Sequence, residues 1–394
     1  MKQASAYAKN SLGCFEIGKT PAVHSRIPCQ GACLARLLTM SLLFVCFVIL
    51  YVPTAQAEDR IYYVAAEEIV WDYAPSYPTN AMSGEPFSEA ARTFLEEGSG
   101  RIGRKYLKAV YRAYSDETFT TPLEHPDHLG LLGPILRAEV GDSITVHFLN
   151  RSRFPLSIHP HGVFYDKASE GAPYADGSTG EAKADDIIEP GRNNSYHWSV
   201  PERAGPGPND TSSIAWPYHS HVDSVADSNA GLFGVIIVTA GGRAQPDASP
   251  TDVNRTFVAL FTIFDENASL YRDINIARAG VSPLGVEEDA FVESNLMHAV
   301  NGRLWGDLPG LTMRVGERVR WHVLAIGNEV DLHTPHWHGG TLLMTGRRVD
   351  VMQLLPAATR TLDMRPDSAG KWMLHCHVDD HIKAGMMVTY QVNE

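Results

Sequence analysis

An all-β fold of two β-sandwich domains is predicted by three features of this 394-residue sequence. Short runs rich in β-branched and aromatic residues recur between Gly, Pro, Asn and Asp. Helical periodicity is scarce, and Ser88 to Glu97 is the clearest exception. The chain also echoes itself, because Val140-Gly141-Asp142 and Val315-Gly316-Glu317 each precede a strand-like run that leads to a histidine cluster. Length and a hydrophobic content of 44% suit two medium domains.

Taken in order, residues 1–57 read as an export leader. Leu37 to Val52 is an almost unbroken apolar run preceded by Arg36, and Ala55-Gln56-Ala57 is a small-x-small cleavage site before Glu58. The alternative is an uncleaved membrane anchor, although the run is shorter than the roughly 20 residues that a spanning helix needs. A later start at Met40 would shorten the leader and lose Arg36. Residues 58–240 form the expected first domain, with strands at Ser143 to Leu149 and Gly234 to Thr239. The polar, turn-rich stretch 241–252, containing Pro246 and Pro250, reads as a linker. Residues 253–394 form the second domain, with strands at Thr256 to Ile263, Val319 to Leu324 and Met386 to Val392.

A net charge of -13 argues against a nucleic-acid partner. Four of the five cysteines lie in the leader, so the chain beyond it keeps only Cys376. An exported chain with one cysteine has no internal disulfide, and metal ligation protects such a thiol from oxidation. Periplasm or secretion is the expected destination.

Cys376 is flanked by His375 and His377, with His381 five residues on and Met386 ten residues on. Thiolate, imidazole and thioether are the donors of a blue-copper site. Alternation along a strand turns Cys376 to one face and its flanking histidines to the other, so one strand serves two metal sites. Three further clusters accompany it: His159-Pro160-His161-Gly162, His219-Ser220-His221, and His333-Thr334-Pro335-His336-Trp337-His338-Gly339. Each His-x-His in an extended segment presents both imidazoles on one face.

These four clusters resemble the copper-binding signature of the multicopper oxidases. The surrounding sequence is similar to the ceruloplasmin and hephaestin branch in Trp71-Asp72-Tyr73-Ala74, Gly130-Leu131-Leu132-Gly133-Pro134-Ile135, Tyr218-His219-Ser220-His221-Val222-Asp223 and Met297-His298-Ala299-Val300-Asn301-Gly302. The resemblance implies two cupredoxin-like Greek-key sandwiches and four coppers per functional unit. Type 1 copper would take His333, Cys376, His381 and axial Met386. Type 2 would take His159 and His336, and the type 3 pair would take His161, His219, His221, His338, His375 and His377. The implied reaction is one-electron oxidation of a substrate at type 1, transfer through Cys376 to its flanking histidines, and four-electron reduction of O2 to water.

The ligands are shared between the two halves, so the three-copper centre forms either between the domains of one chain or between neighbouring chains. Two-domain relatives imply a homotrimer, with head-to-tail closure. For the reductant, the resemblance matches Glu293, His298 and Asp380 to a ferrous-iron site beside type 1, and Glu170 to an acid that relays protons. Carboxylates and an imidazole suit Fe(II). Phenols, as in a laccase, or another metal ion are the alternative reductants. Two readings of other classes fit less well. A copper nitrite reductase would carry its type 1 ligands in the first domain and lack type 3 histidines. A non-catalytic copper-binding protein would not need ligands at every position.

Overall fold

The computed structural model describes residues 57–394 apart from 283–287 and 329. The expected leader lies outside the described residues except for Ala57. Before residue 240 the strands are β1 (Asp59–Asp72), β2 (Lys105–Tyr114), β3 (Ile135–Glu139), β4 (Ser143–Asn150), β5 (His159–Pro160), β6 (Asn193–Ser199), β7 (Ser213–His219) and β8 (Phe233–Thr239). After residue 254 they are β9 (Arg255–Asp265), β10 (Leu296–Val300), β11 (Thr312–Arg314), β12 (Val319–Ala325), β13 (Pro335–Trp337), β14 (Leu342–Met344), β15 (Arg347–Val349), β16 (Thr359–Met364), β17 (Gly370–Cys376) and β18 (Met387–Asn393). Helices are short: α1 (Glu89–Leu95), α2 (Ser224–Ala230), α3 (Arg272–Ala279), α4 (Asp289–Ser294) and α5 (Asp379–Lys383). The expected helical stretch is α1, capped where the Ser88 hydroxyl accepts from the Ala91 amide.

Among the described residues, no sheet mixes strands from before residue 240 with strands from after residue 254, and the two sets repeat one topology. The orders are β2-β1-β4-β6 with β3-β8-β7-β5, and then β10-β9-β12-β16-β14-β15 with β11-β18-β17-β13. In each set the leading strand pairs antiparallel with its successor and parallel with a later strand, β1 with β4 and β9 with β12. The paired sequence echoes occupy matching turns, where Gly141 and Gly316 both take left-handed φ values of 106° and 80°. The next residue ties each turn down. Asp142 accepts from the Glu139 amide and Glu317 from the Arg314 amide.

Each set of sheets encloses its own apolar core. One contains Ile144, Phe148, Trp198 and Ile236, and the other contains Phe257, Trp321, Trp337 and Tyr390. A third core joins the halves, packing Trp71, Tyr73 and Leu131 against Leu260, Phe264 and Trp305. Polar contacts set its register. Lys108 and Glu266 form a fully buried ion pair, with the Tyr73 hydroxyl donating to the same carboxylate at 2.6 Å. Asn275 donates to the Leu107 carbonyl at 3.0 Å and accepts from its amide at 2.7 Å. Removing one member of such a pair strands a charge, at a cost of about 3–5 kcal/mol.

The stretch expected to be a linker is less solvated than its composition implies. Ala248 is buried and its carbonyl accepts from the Thr239 hydroxyl at 2.7 Å. Asp252 joins Arg318 and the fully buried Arg320 in an ion network that Asp363 completes. Charged side chains tie this stretch to strand β12.

Candidate metal centre

Strand pairing places the histidines. In the first half β5 pairs with β7 so that His159 lies opposite His219, and in the second β13 pairs with β17 so that His336 lies opposite His375. Each His-x-His pair therefore lies beside another. Ring centroids are 5.4 Å apart for His159 and His161, 5.4 Å for His219 and His221, 4.9 Å for His336 and His338, and 5.4 Å for His375 and His377. The glycine closing each cluster is a steric necessity. A Cβ on Gly162 would fall 2.0 Å from the Trp216 ring, and one on Gly339 would fall 2.4 Å from the Trp372 ring. Both tryptophans sit three residues before a facing histidine, His219 or His375.

Backbone carbonyls choose the tautomers. The Nδ1 atoms of His159, His219, His336 and His375 lie 2.6, 2.8, 3.1 and 2.8 Å from the carbonyls of Glu170, Ser220, Asp350 and Cys376. Each Nδ1 donates its proton there, which leaves the Nε2 lone pair for a metal. The Nε2 atoms of His161 and His219 converge to 3.1 Å, and those of His338 and His375 to 3.0 Å. Burial pushes His161 down to about 4 and His219 down to about 3, so both rings are neutral donors at pH 7. Among the described residues, no hydrogen bond or ring contact joins the first quartet to the second.

The second grouping surrounds Cys376, which closes β17 with its sulfur in the core. His381 Nδ1 approaches Sγ to 3.6 Å and His333 Nδ1 to 3.9 Å, while the two nitrogens stand 3.2 Å apart. Burial pushes the thiol up, but hydrogen bonds from His333, His381 and the Thr334 and Val378 amides outweigh it and bring Cys376 down to about 6. The thiolate, the ligand form, is thereby favoured at neutral pH. Met386 is fully buried, and its backbone bonds to the Cys376 and His381 segments, accepting from Cys376 N at 3.1 Å and donating to His381 O at 3.0 Å.

Three supporting residues were not singled out in the sequence. Asp331, two positions before His333, is fully buried and lies 3.2 Å from His333 Nε2, so it turns Nδ1 toward the sulfur. The Ile263 amide donates to Asp331 at 2.7 Å and holds it there. Trp305 lies over Gly385, where a Cβ would meet the indole at 2.6 Å, and its amide donates to Gly385 O. An acid two residues before a ligand and a glycine immediately before Met386 were the available signals.

The other expected site residues are distributed as follows. The His298 ring lies 5.4 Å from that of His381, tilted by 55°, with its Nδ1 on the Leu296 carbonyl and its pKa pushed down to about 4 by burial. Glu293, on α4, and Asp380, on α5, are both exposed. The Glu170 carboxylate pairs with Lys167 and accepts from the Tyr174 hydroxyl at 3.0 Å, while its carbonyl orients His159. Its ties to the histidine are through the backbone. His377 is exposed beyond the end of β17.

Residues 130–242 and 282–394 each match a family model described as multicopper oxidase. The chain belongs to the multicopper oxidase family. It is 45% identical to the ferroxidase HEPHL1 of Mus musculus over 85% of this chain and 29% of that protein. Identity is 43% to hephaestin of Rattus norvegicus, over 85% of this chain and 29% of that one. For ceruloplasmin of Homo sapiens it is 42%, over 85% and 31%. The chain thus spans less than a third of the length of these relatives. Two solved multicopper oxidases share its fold. One, mgLAC, has a TM-score of 0.55 at 18% identity, covering 86% of this chain and 87% of the other. A second has a TM-score of 0.54 at 19% identity, covering 85% and 89%. Both halves of this multicopper oxidase are cupredoxin-like β-sandwiches, and membership implies copper. The donor set fits that metal: His333, Cys376 and His381 converge within 4.8 Å, as do His336, His338 and His375.

The depressed histidines set a pH dependence in the metal-free protein. The unfolded chain takes up protons near the ordinary 6.5, whereas folded His161 and His219 do so only near 4 and 3. Stability from these rings is present above the unfolded value and is lost as pH falls from 6.5 toward 4. Denaturant midpoints of the metal-free chain should fall between pH 7 and pH 5. A His161→Gln, His219→Gln variant should fall less.

Proposed function

We propose that this chain is a ferroxidase-type oxidase that takes single electrons from Fe(II) at a type 1 site and delivers them to O2. The observation that carries this reading is the buried Cys376 sulfur, reached by His333 and His381, in covalent sequence with His375 of the second metal group and with His377, whose ring lies 5.4 Å from that of His375. When bound, copper supplies one-electron redox chemistry, by which four electrons and four protons convert one O2 to two molecules of water. His333, Cys376, His381 and Met386 would hold type 1. His159 and His336 would hold type 2, and His161, His219, His221, His338, His375 and His377 the type 3 pair. The peptide on either side of Cys376 is the shortest covalent link between the two groups.

The reductant reading rests on side chains beside His381. His298 is neutral, keeps Nε2 free of its carbonyl bond and lies against the His381 ring. Exposed Glu293 and Asp380 add the oxygen donors that suit a ferrous ion, and their charge favours the ferric product. A relative named ferroxidase agrees with this choice over a phenol. Glu170, tied to Lys167 and Tyr174 and bonded to His159 through its carbonyl, would supply protons. Residues 58–240 and 253–394 are the two domains and 241–252 their connection, in an exported protein, periplasmic or secreted.

Among the described residues no contact joins the two histidine quartets, and a second copy that brings its C-terminal quartet to the N-terminal quartet of the first would complete the centre. Repeating that head-to-tail contact closes a homotrimer.

Copper-loaded protein should show an intense blue thiolate band that Cys376→Ser abolishes together with O2 consumption; normal turnover without the thiol would sink the mechanism. A Glu293→Ala, Asp380→Ala variant should lose roughly tenfold or more in kcat/KM for Fe(II) while keeping its rate with a phenol. Equal loss on both substrates would remove the iron site. For assembly, inactive His161→Ala and His375→Ala chains should regain O2 consumption when co-refolded, because a mixed trimer restores an intact contact. Absence of recovery with trimers formed would place the cluster elsewhere.

A further inference from the structure

The peptide that orients His159 is itself held by a buried acid. Glu170 supplies the carbonyl that His159 Nδ1 meets at 2.6 Å, and the N–H of the same peptide, which belongs to Gly171, donates to Asp185 Oδ2 at 2.7 Å. Asp185 is 1% exposed, and its Oδ1 has no hydrogen bond among the described residues. A carboxylate therefore stands one peptide away from the imidazole. Little in this arrangement can shift. Gly171 has a φ of 69°, and a Cβ there would fall 2.3 Å from the Ile158 carbonyl, next to His159 in the chain. The Ser157 hydroxyl donates to the Gly171 carbonyl at 2.6 Å. From the other side, the Tyr196 hydroxyl donates to the Asp185 carbonyl at 2.9 Å and accepts from the Ile158 amide at 3.3 Å.

Two other histidines are oriented by peptides whose amides meet neutral partners. His219 lies 2.8 Å from the Ser220 carbonyl, and the His221 amide of that peptide donates to the Ser157 hydroxyl at 3.0 Å. His375 lies 2.8 Å from the Cys376 carbonyl, and the His377 amide donates to Thr334 O at 2.9 Å. The His159 peptide meets a carboxylate instead, and its bond to the ring is the shortest of the three. An anion at the N–H side pushes electron density through the conjugated peptide onto its oxygen, and charge-assisted bonds are shorter. Anchoring this loop needs only a neutral acceptor. A buried carboxylate with one oxygen unpaired is a costly way to supply it, which points to a use for the charge.

We propose that Asp185 is a positioning residue for His159, acting through the Glu170–Gly171 peptide to fix the Nδ1–H tautomer and make Nε2 a stronger metal donor. Carboxylates that bond a ligand histidine raise its basicity, and here the effect passes through one peptide. This inference rests on the reading of His159 as a type 2 ligand and deepens it by naming what tunes that ligand. His336, the other residue given to type 2, has a longer bond of 3.1 Å to the Asp350 carbonyl.

Asp185→Asn keeps an acceptor for Gly171 and removes the charge. Asp186→Asn is the control, because it removes a neighbouring carboxylate that pairs with Lys183 at 2.8 Å. In the metal-free full-length chain with 15N-labelled histidine, the His159 signals are assigned by their loss in His159→Gln. Wild type and Asp186→Asn should show a low-field Nδ1 proton and an unprotonated Nε2. Asp185→Asn should move that proton upfield and speed its exchange with solvent. After copper loading, a chelator should remove the type 2 electron-spin signal from Asp185→Asn at a roughly tenfold or greater loss of affinity, with the blue band retained. An Nδ1 proton or a chelator resistance unchanged in Asp185→Asn would overturn the inference, and so would equal changes in Asp186→Asn. An Nε2-protonated His159 in the wild-type chain would also overturn it, and that result requires no variant to fold. A copper-loaded wild type that has the blue band and no type 2 signal would instead overturn the ligand reading, while the metal-free spectra would still decide the role of Asp185.

Discussion

The contact on which the rest of the site depends is between the buried Cys376 sulfur and the two imidazoles that reach it. A free thiol in an apolar core resists ionisation, and burial alone would push it up. His333, His381 and two backbone amides reverse that preference, so the strand ends in a thiolate. Because Cys376 is the last residue of β17, its fixed position also fixes His375, opposite His336 on β13. One strand end thus aligns two metal groups, and a shift of register by a single residue would exchange their faces.

The first half contributes to this end of the molecule without entering the grouping around Cys376. Asn301 to Gly306 forms a turn with successive left-handed residues, at φ 50° for Asn301, 74° for Gly302 and 45° for Trp305. Strained turns of this kind persist where their surroundings over-determine them. Trp71 donates to Gly302 O at 2.6 Å, the Leu304 amide to Tyr73 O at 3.0 Å, and the Leu131 amide to Asn301 O at 3.0 Å. Held this way, the turn presses Trp305 onto Gly385 and bonds Gly306 N to Met387 O. The loop bearing Met386 is therefore clamped from both sides, by Cys376 within its own sandwich and by a turn that the other sandwich holds.

Much of the arrangement was legible before any coordinates. The strand centres expected at Ser143, Thr256 and Val319 differ from the observed strands by one or two residues at their ends. The echo at Val140 and Val315 marks equivalent turns in two sheets of the same topology. What composition misjudged was the connection between the halves. Gly and Pro read as solvent-facing there, yet Ala248 and Asp252 are held by Thr239 and Arg320, partners that lie close only after the sheets have packed.

By itself the sequence determined the donor atoms. Their identity, their spacing and the strand period dictate which imidazoles share a face, and that follows from local geometry of period two. Tertiary structure alone decided their tautomers, their charge and their grouping. Asp331 orients His333 only because a strand amide from Ile263 holds it, and burial that no spacing encodes keeps His161 and His219 neutral. That no contact among the described residues joins the two quartets is likewise a matter of packing. It follows from how one sandwich docks on the other through the buried Lys108–Glu266 pair and the Tyr73 and Phe264 core, contacts between residues far apart in sequence.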